Sequence, residues 1–575
     1  ESYPPTLPKS ALATLVADIK DYQLTHGSLL KIVNPPPAFL SEEDEEDEDE
    51  QEIASIGAVL SEPIGVSIFP TLFPRHLFEQ ALELQQSFNE LYARVAADSE
   101  WLKETLSELV EADEFVRLLW GLYEEVYGED TREGTRKRRQ RVQELSVGIW
   151  RSDYMLWQAL GGTDAERGDE TAATARKSLG IKQVEFNTIA CSGGAHGNIA
   201  ADMHHYLDTT GLNPASLALP GSTLPPNTTI EGIVATLAAA HAAYADQRAR
   251  PDLETCILML VQPYNYNVCD ERPLEHALSQ REGIPTFRVE FGGEFLALTE
   301  ELDRNFDSNS ADDDAEEAPP PPLLFTHPLT RRTYEVSVAY FRAGHEPRDY
   351  SETRPHHCTQ PSSLRSRAIK CPTLGAHLAG SKRVQAALAA PGALGRWVSD
   401  IETRARLEET FVEIWGQEKM EEVVAATGMG KAEGKDAGDG GGDQRRGNGG
   451  GEGPRYVLKP SREGGGNNVY GDKVPTFLSA VGQEQWKKYV LMDLIKGPDK
   501  NVFGTRNMLV LSEQVYDGEV ASELGVFGGC LWRNGKDVQI VRNEGIGWSF
   551  KTKGKHMNEM SVVKGYGCFD CPRLL

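Results

Sequence analysis

The sequence predicts a mixed fold, α+β with an α/β portion, and three observations carry that expectation: helical periodicity in the first third, a β-α-β unit in the middle, and closely spaced strand-like runs in the last third. The 575 residues, 39% of them hydrophobic, suffice for a sizeable core in roughly two to four domains. Leu77, Ala81, Leu84, Phe88 and Leu91 recur at helical spacing after Pro74, and a second helical stretch covers about residues 102 to 127, so the first third reads as largely helical. Strands enter from Lys182 onward, the first over residues 184 to 189. A strand over 256 to 262, a helix over 273 to 279 and a strand over 286 to 291 make the β-α-β unit. Runs at 456–459, 489–495, 520–532 and 538–541, rich in β-branched and aromatic residues, predict a largely antiparallel sheet.

Charge and cysteine use narrow the class of function. With 59 Lys+Arg against 87 Asp+Glu the net charge is −28, which argues against a nucleic-acid partner, because that affinity comes from basic patches on phosphates. No window approaches the ~18 uninterrupted apolar residues of a membrane span, and Glu1 to Pro5 has no basic n-region, although the missing initiator Met leaves an upstream segment open. Eight sparse cysteines point to a reducing compartment, hence the cytoplasm. Cys568 and Cys571 form a lone C-x-x-C that reads as two neighbours near a frayed C-terminus rather than a zinc site. Three segments read as disordered insertions: 42–52, with ten acids and no base, 308–322, acidic then proline-rich, and 428–454, dominated by glycine and charge.

The most informative stretch runs from Tyr456 to Gly471. A strand ends in Lys459, and Arg462, Glu463, Gly464, Gly465 and Gly466 follow, then Asn468 and Tyr470. Consecutive glycines let backbone N–H groups approach an anion without Cβ interference, so the loop reads as a phosphate clamp, although it is not a P-loop. Glu463 would place a hard carboxylate where a phosphate-bridging Mg²⁺ needs one. Upstream, strand alternation puts Glu185 and Asn187 on one face, opposite Val184, Phe186 and Thr188, which gives two oxygen ligands suited to the same ion. Alone, that face could equally meet water. Met492 and Ile495 offer an apolar slot for a purine, and Glu523 can accept from an exocyclic amine.

Taken in order, Arg151-Ser-Asp153-Tyr154, the Glu185 strand, Tyr340-Phe-Arg342-Ala-Gly344, Ala368-Ile-Lys-Cys-Pro372 with Leu378-Ala-Gly-Ser-Lys382, the Lys459 to Gly471 clamp, Ser522-Glu523-Leu-Gly525 and Lys551-Thr-Lys553 resemble eukaryotic glutathione synthetase. The resemblance runs from about Tyr3 to the end and leaves out only the three insertions. It implies an ATP-grasp ligase fold, a homodimer, and ATP-dependent joining of γ-glutamylcysteine to glycine. It implies three regions, 1–230, an inserted substrate-binding domain over 231–370, and an ATP-grasp region over 371–575. It makes Glu185, Asn187 and Glu463 magnesium ligands and Arg151, Lys382 and Lys459 the catalytic charges. The nucleotide site would comprise Glu185, Lys382, Lys459, Arg462, Glu463, Gly464 to Gly466, Asn468, Tyr470, Met492, Ile495, Glu523, Lys553 and Glu559. Arg151, Ser192, Asn265, Asn267, Glu271, Arg342 and His345 would line the donor site, with Lys551, Val562 and Val563 at the acceptor.

Several positions depart from the family pattern. Asn265 stands where an acid is usual, Glu271 replaces a glutamine, His345 a tyrosine, and Lys551 an arginine, which keeps the charge but loses the planar fork. The Asn265 and Glu271 exchange reads as one repositioned carboxylate. His204-His205 and His356-His357-Cys358 lack companion ligands at finger spacing, and no nucleophile elbow supports a thiol hydrolase at Cys191 with His196 or His204 as base.

Overall fold

In the computed structural model the described residues are 3–32, 60–127, 143–158, 179–213, 219, 221–263, 265–301, 320–350, 366–426, 456–461, 467–498, 504–535 and 537–575. A 13-stranded sheet forms the frame. Its centre is the antiparallel set Gln539–Gly554, Gln514–Arg533 and Leu145–Gln158. Beyond Leu145–Gln158 the strands Ile369–Cys371, Thr333–Phe341, Glu254–Val261 and Thr286–Glu290 follow in parallel pairs, and Leu323–Thr326 pairs antiparallel with Thr333–Phe341. A separate four-stranded antiparallel sheet holds Ile414–Trp415, Tyr489–Asp493, Tyr456–Pro460 and Val469–Tyr470.

The helix Arg75–Ala97 forms where the sequence places it, and its apolar stripe, Leu77, Ala81, Leu84, Phe88 and Leu91, is buried. The stretch expected over 102 to 127 is two helices, Ser99–Ala112 and Glu114–Tyr127. Asp113 divides them, because its Oδ1 accepts from the N–H groups of Phe115 and Val116 and so starts a new helix. Tyr92 stacks on Phe186 at 3.8 Å, which ties this helical layer to the sheet.

The largely helical first third is corrected by the Leu145–Gln158 strand. Its first ten residues are all buried, so both faces carry mixed side chains and no alternation marks it. The strand expected over 184–189 is Leu179–Asn187, and the register against Leu145–Gln158 shifts at Val184, which is the extra residue of a bulge. The β-α-β unit is present as Glu254–Val261, Val268–Gln280 and Thr286–Glu290, with Pro273 inside the helix. Both long C-terminal strands exceed expectation: the runs at 520–532 and 538–541 lie within Gln514–Arg533 and Gln539–Gly554 except for Val538.

Two further expectations change. The C-terminus is not frayed: Cys568 and Cys571 are buried, and Pro572–Leu574 pairs with Thr71–Phe73. Of the three insertions, 42–52 and 428–454 lie outside the described residues, but the last prolines of 308–322 pack, since Arg367 Nε donates to the Pro320 carbonyl at 3.0 Å and Arg367 N to that of Pro321 at 2.7 Å. Among the described residues no helix is long and apolar enough to cross a membrane.

Candidate functional site

A cavity of about 350 Å³ opens between the two sheets. It gathers Arg151, Glu185, Asn187, Ser192, Lys382, Lys459, Asn468, Tyr470, Met492, Ile495, Glu523, Lys551, Lys553, Glu559, Val562 and Val563, residues up to 412 positions apart (563 − 151). Arg462, Glu463 and Gly464 to Gly466 lie outside the described residues. Val457, Met492, Leu494 and Ile495 give one apolar wall, and the other walls are charged.

Glu185 is the electrostatic centre. Its Oε2 lies 3.1 Å from Lys382 Nζ, while Lys459 donates to the Val184 carbonyl at 3.2 Å. The Val184 bulge thus presents a carbonyl to Lys459 and a carboxylate to Lys382 from adjacent residues. Burial pushes the Glu185 carboxyl up, but Lys382, Lys459 and Arg151 outweigh it and hold the group well below the usual carboxylate range. Burial lowers the Lys459 ammonium, with Glu185 opposing. Lys382 follows Ser381, whose hydroxyl accepts from Val384 N and starts the helix Lys382–Leu388, so a cap fixes where the lysine leaves the chain.

Arg151 is held by Asp153, a residue to which the sequence reading assigns no role. Arg151 Nε and an Nη donate to the two Asp153 oxygens at 2.6 and 2.7 Å, and its other Nη to the Ser192 carbonyl at 2.7 Å. Gly525 lies across the sheet from Asp153, and a Cβ there would sit 2.7 Å from Asp153 Oδ1 and 2.8 Å from Arg151 Cδ, so only glycine permits this approach. Asn187 donates its amide to Asp153 at 3.0 Å and to Glu185 at 3.3 Å, which leaves its Oδ1 as the remaining acceptor. Glu185 and Asn187 are therefore an all-oxygen pair, the donor chemistry of Mg²⁺ completed by phosphates. Among the described residues no three His, Cys, Asp or Glu side chains group as a protein-only metal cage, and His204 is instead bonded to Ser67. His356 to Cys358 lie outside the described residues.

Further along the cavity Lys551 Nζ pairs with Glu523 Oε1 at 2.6 Å. Lys553 donates to the Asn558 carbonyl at 2.6 Å, and burial lowers its pKa against Glu523 and Glu559. Tyr470 donates to Glu559 at 3.2 Å and receives Asn468 at 3.3 Å, so the 558–563 loop touches the clamp strand.

Asn265, Asn267, Glu271, Arg342 and His345 do not line this cavity: Glu271 and Arg342 are buried behind the Ser192–Gly193 turn, and Asn265, Asn267 and His345 are half-buried beside them. Arg342 donates to Asp270 at 2.9 Å, to Glu271 at 3.4 Å and to the Cys191 carbonyl. Asp270, which the sequence did not single out, also accepts Gly193 N at 3.0 Å and Ala195 N at 2.9 Å, and Gly193 has the left-handed φ of 85° that the turn requires. Burial raises the Asp270 carboxyl, but Arg342 and these donors bring it below its ordinary value. Glu271 receives the Asn265 amide and faces Arg288 at 3.7 Å, a second unforeseen contact, and burial pushes its carboxyl up. His345 lies 3.9 Å from Asp349. Cys191 is buried and its thiol donates to the Asn187 carbonyl at 3.2 Å, an arrangement of a packed thiol rather than a nucleophile.

Comparison with known proteins gives the family. The family described as eukaryotic glutathione synthase, ATP binding domain, matches residues 9–574. The glutathione synthetase large chain of Schizosaccharomyces pombe is 31% identical over 529 residues, 90% of this chain and 92% of that one. The Xenopus laevis and Homo sapiens glutathione synthetases are 30% and 28% identical, each over 88% of this chain and over 90% and 89% of their own lengths. Among solved structures, a glutathione synthetase-like effector of Globodera pallida in its apo form has the same fold, with a TM-score of 0.63 and 18% identity over 99% of this chain and 98% of that one.

Proposed function

The chain belongs to the eukaryotic glutathione synthase family, and from that premise we propose how this glutathione synthase joins γ-glutamylcysteine to glycine with ATP. A carboxylate is a poor electrophile, so the cysteinyl carboxylate oxygen first attacks the γ-phosphorus of ATP and ADP leaves. Glycine's amine then attacks the acyl phosphate carbon, the phosphate departs with the C–O bond pair, and the amine proton is lost to phosphate or solvent. The observation that carries this reading is the convergence of Glu185, Lys382, Lys459 and Arg151 in one cavity. Lys382 and Lys459 are placed for phosphate oxygens, and Arg151, its fork locked by Asp153, for the acyl oxygens.

Glu185 and Asn187, with Glu463, would hold Mg²⁺, which supplies charge neutralisation at the phosphates. The Val457, Met492 and Ile495 wall receives the purine, and Lys553, Tyr470 and Glu559 the rest of the nucleotide. Lys551 exchanges Glu523 for the glycine carboxylate, beside Val562 and Val563. The Asp270, Glu271 and Arg342 cluster shapes the donor side, with Asn265, Asn267 and His345 at its rim. Acyl phosphates hydrolyse, so the 554–563 segment serves as a lid. The whole is an ATP-grasp arrangement over 1–230, 231–370 and 371–575, working as a homodimer. Seven free cysteines among the described residues, six of them buried, suit a reducing cytoplasm.

The test is an ADP-release assay. Release that requires both γ-glutamylcysteine and glycine, with stoichiometric glutathione, is expected. Release at the same rate without γ-glutamylcysteine, or release with no glutathione formed when both substrates are present, would overturn the reading.

A further inference from the structure

Behind the floor of the cavity lies a carboxylate that the chemistry above does not use. Asp570, 0% exposed, is in the strand Cys568–Asp570, which pairs with the cavity-lining strand Gln539–Gly554. It accepts Ser67 Oγ at 2.5 Å, Thr71 Oγ1 at 2.5 Å, Thr71 N at 3.3 Å, Thr552 Oγ1 at 2.7 Å and Cys571 N at 2.7 Å. An ionised carboxylate only accepts, so each hydroxyl around it must donate. Each hydroxyl oxygen is then open to a donor from the next shell.

That rule orders the whole network. Thr552, having given its hydrogen to Asp570, receives Ser522 Oγ at 2.8 Å. Thr71 receives the Asn507 amide at 2.7 Å, and Ser67 receives Nε2–H of His204 at 3.0 Å, burial keeping that ring neutral with its pKa lowered to about 3. The branches differ in where they lead. Ser67, Thr71, Asn507 and His204 lead away from the cavity, whereas Thr552 stands between Lys551 and Lys553, and Ser522 immediately precedes Glu523. Strand alternation puts Thr552 on the rear face and the two lysines on the cavity face.

We propose that Asp570 is a positioning residue for ligation: through Thr552 and Ser522 it holds the two central strands in the register that spaces Lys551, Lys553 and Glu523 for acceptor and nucleotide. The proposal rests on the reading that Lys551 meets the glycine carboxylate and Lys553 the nucleotide. Arg151 is held by its own pair with Asp153 and Lys382 by the cap of its helix, so donor binding is expected to change least.

A matched pair of variants tests it, because Thr552 and Thr71 both donate to Asp570 Oδ2. Thr552→Val and Thr71→Val each remove one such bond while keeping side-chain shape. The expected result is a similar fall in Tm for both, but only Thr552→Val raises KM for ATP and for glycine, by roughly tenfold, with KM for γ-glutamylcysteine within about twofold. Thr552→Ser should restore both constants. Equal kinetics for the two valine variants would show that Asp570 anchors the fold alone and would overturn the proposal. Ser522→Ala breaks the same relay one bond further on, so if Thr552→Val fails to fold, parental KM values in Ser522→Ala overturn it instead. Lys553→Met run in parallel separates the two claims: an unchanged KM for ATP there rejects the nucleotide role of Lys553, whereas a raised one beside an unaffected Thr552→Val rejects only the relay.

Discussion

At Glu185 burial and charge act in opposite directions, and charge prevails because three cations face one carboxylate. The folded pKa therefore lies below the unfolded value of about 4.3, so the ionised group contributes stability above that value, and the contribution is lost as pH falls toward the folded pKa. Glu185→Gln removes it and leaves Lys382, Lys459 and Arg151 without their shared anion. The variant is expected to lose ligation by at least about a hundredfold, and its Tm deficit should narrow as pH falls from about 6 to 3. A deficit constant across that range would show that the cations do not depend on Glu185. The residue was legible from strand alternation beside Asn187. Asp153 and Asp270 were not: Arg151 stands two residues from Asp153 on the same strand, but the role of Asp153 shows only where Asn187 of the adjoining strand joins them, and Asp270 is marked by Arg342 and the Gly193 turn, so spacing in the sequence does not reveal these meetings.

The central strands show why elements differ in legibility. The helix Arg75–Ala97 carries one apolar face, so its period is written in the sequence. Leu145–Gln158 is covered on both sides and carries Arg151 and Asp153 among apolar neighbours, so its pattern is neither alternating nor continuous. Its place is secured by Gly525 on the adjoining strand, the only residue type that lets Asp153 and Arg151 lie flat there. Gly525→Ala would press a methyl against Asp153, Arg151 and Ser549, all within 2.8 Å. Overpacking of this kind costs about 1–3 kcal/mol, and the displaced fork should raise KM for γ-glutamylcysteine severalfold. Calorimetry and initial rates on the alanine variant check both effects, and parental values in each would remove Gly525 from the site's support.

Across the whole molecule, the sheet unites segments far apart in sequence: Val66 pairs with Phe569, Arg151 with Phe527 and Lys370 with Ser146. The cavity exists only when these long-range pairings are complete, which is why local motifs gave its residues but not its walls. The small sheet that carries Lys459 has its own core, in which Met420 and Val424 of the helix Gln417–Ala426 meet Leu458 and Leu491 of the strands. The helix end and the start of Tyr456–Pro460 are thus fixed by packing, whatever joins them. Residues 430 to 453 are mostly glycine and charged or polar side chains and offer no apolar face to that core. Replacing them by a Gly-Ser linker roughly a quarter as long changes loop-closure entropy by only about 1.2 kcal/mol, in the stabilising direction. Tm is therefore expected to stay within about 2 °C and kcat/KM for ATP within about twofold. A large fall in either would mean that the segment docks against the small sheet and holds Lys459 in place, and the phosphate end of the site would then extend beyond the residues that now line it.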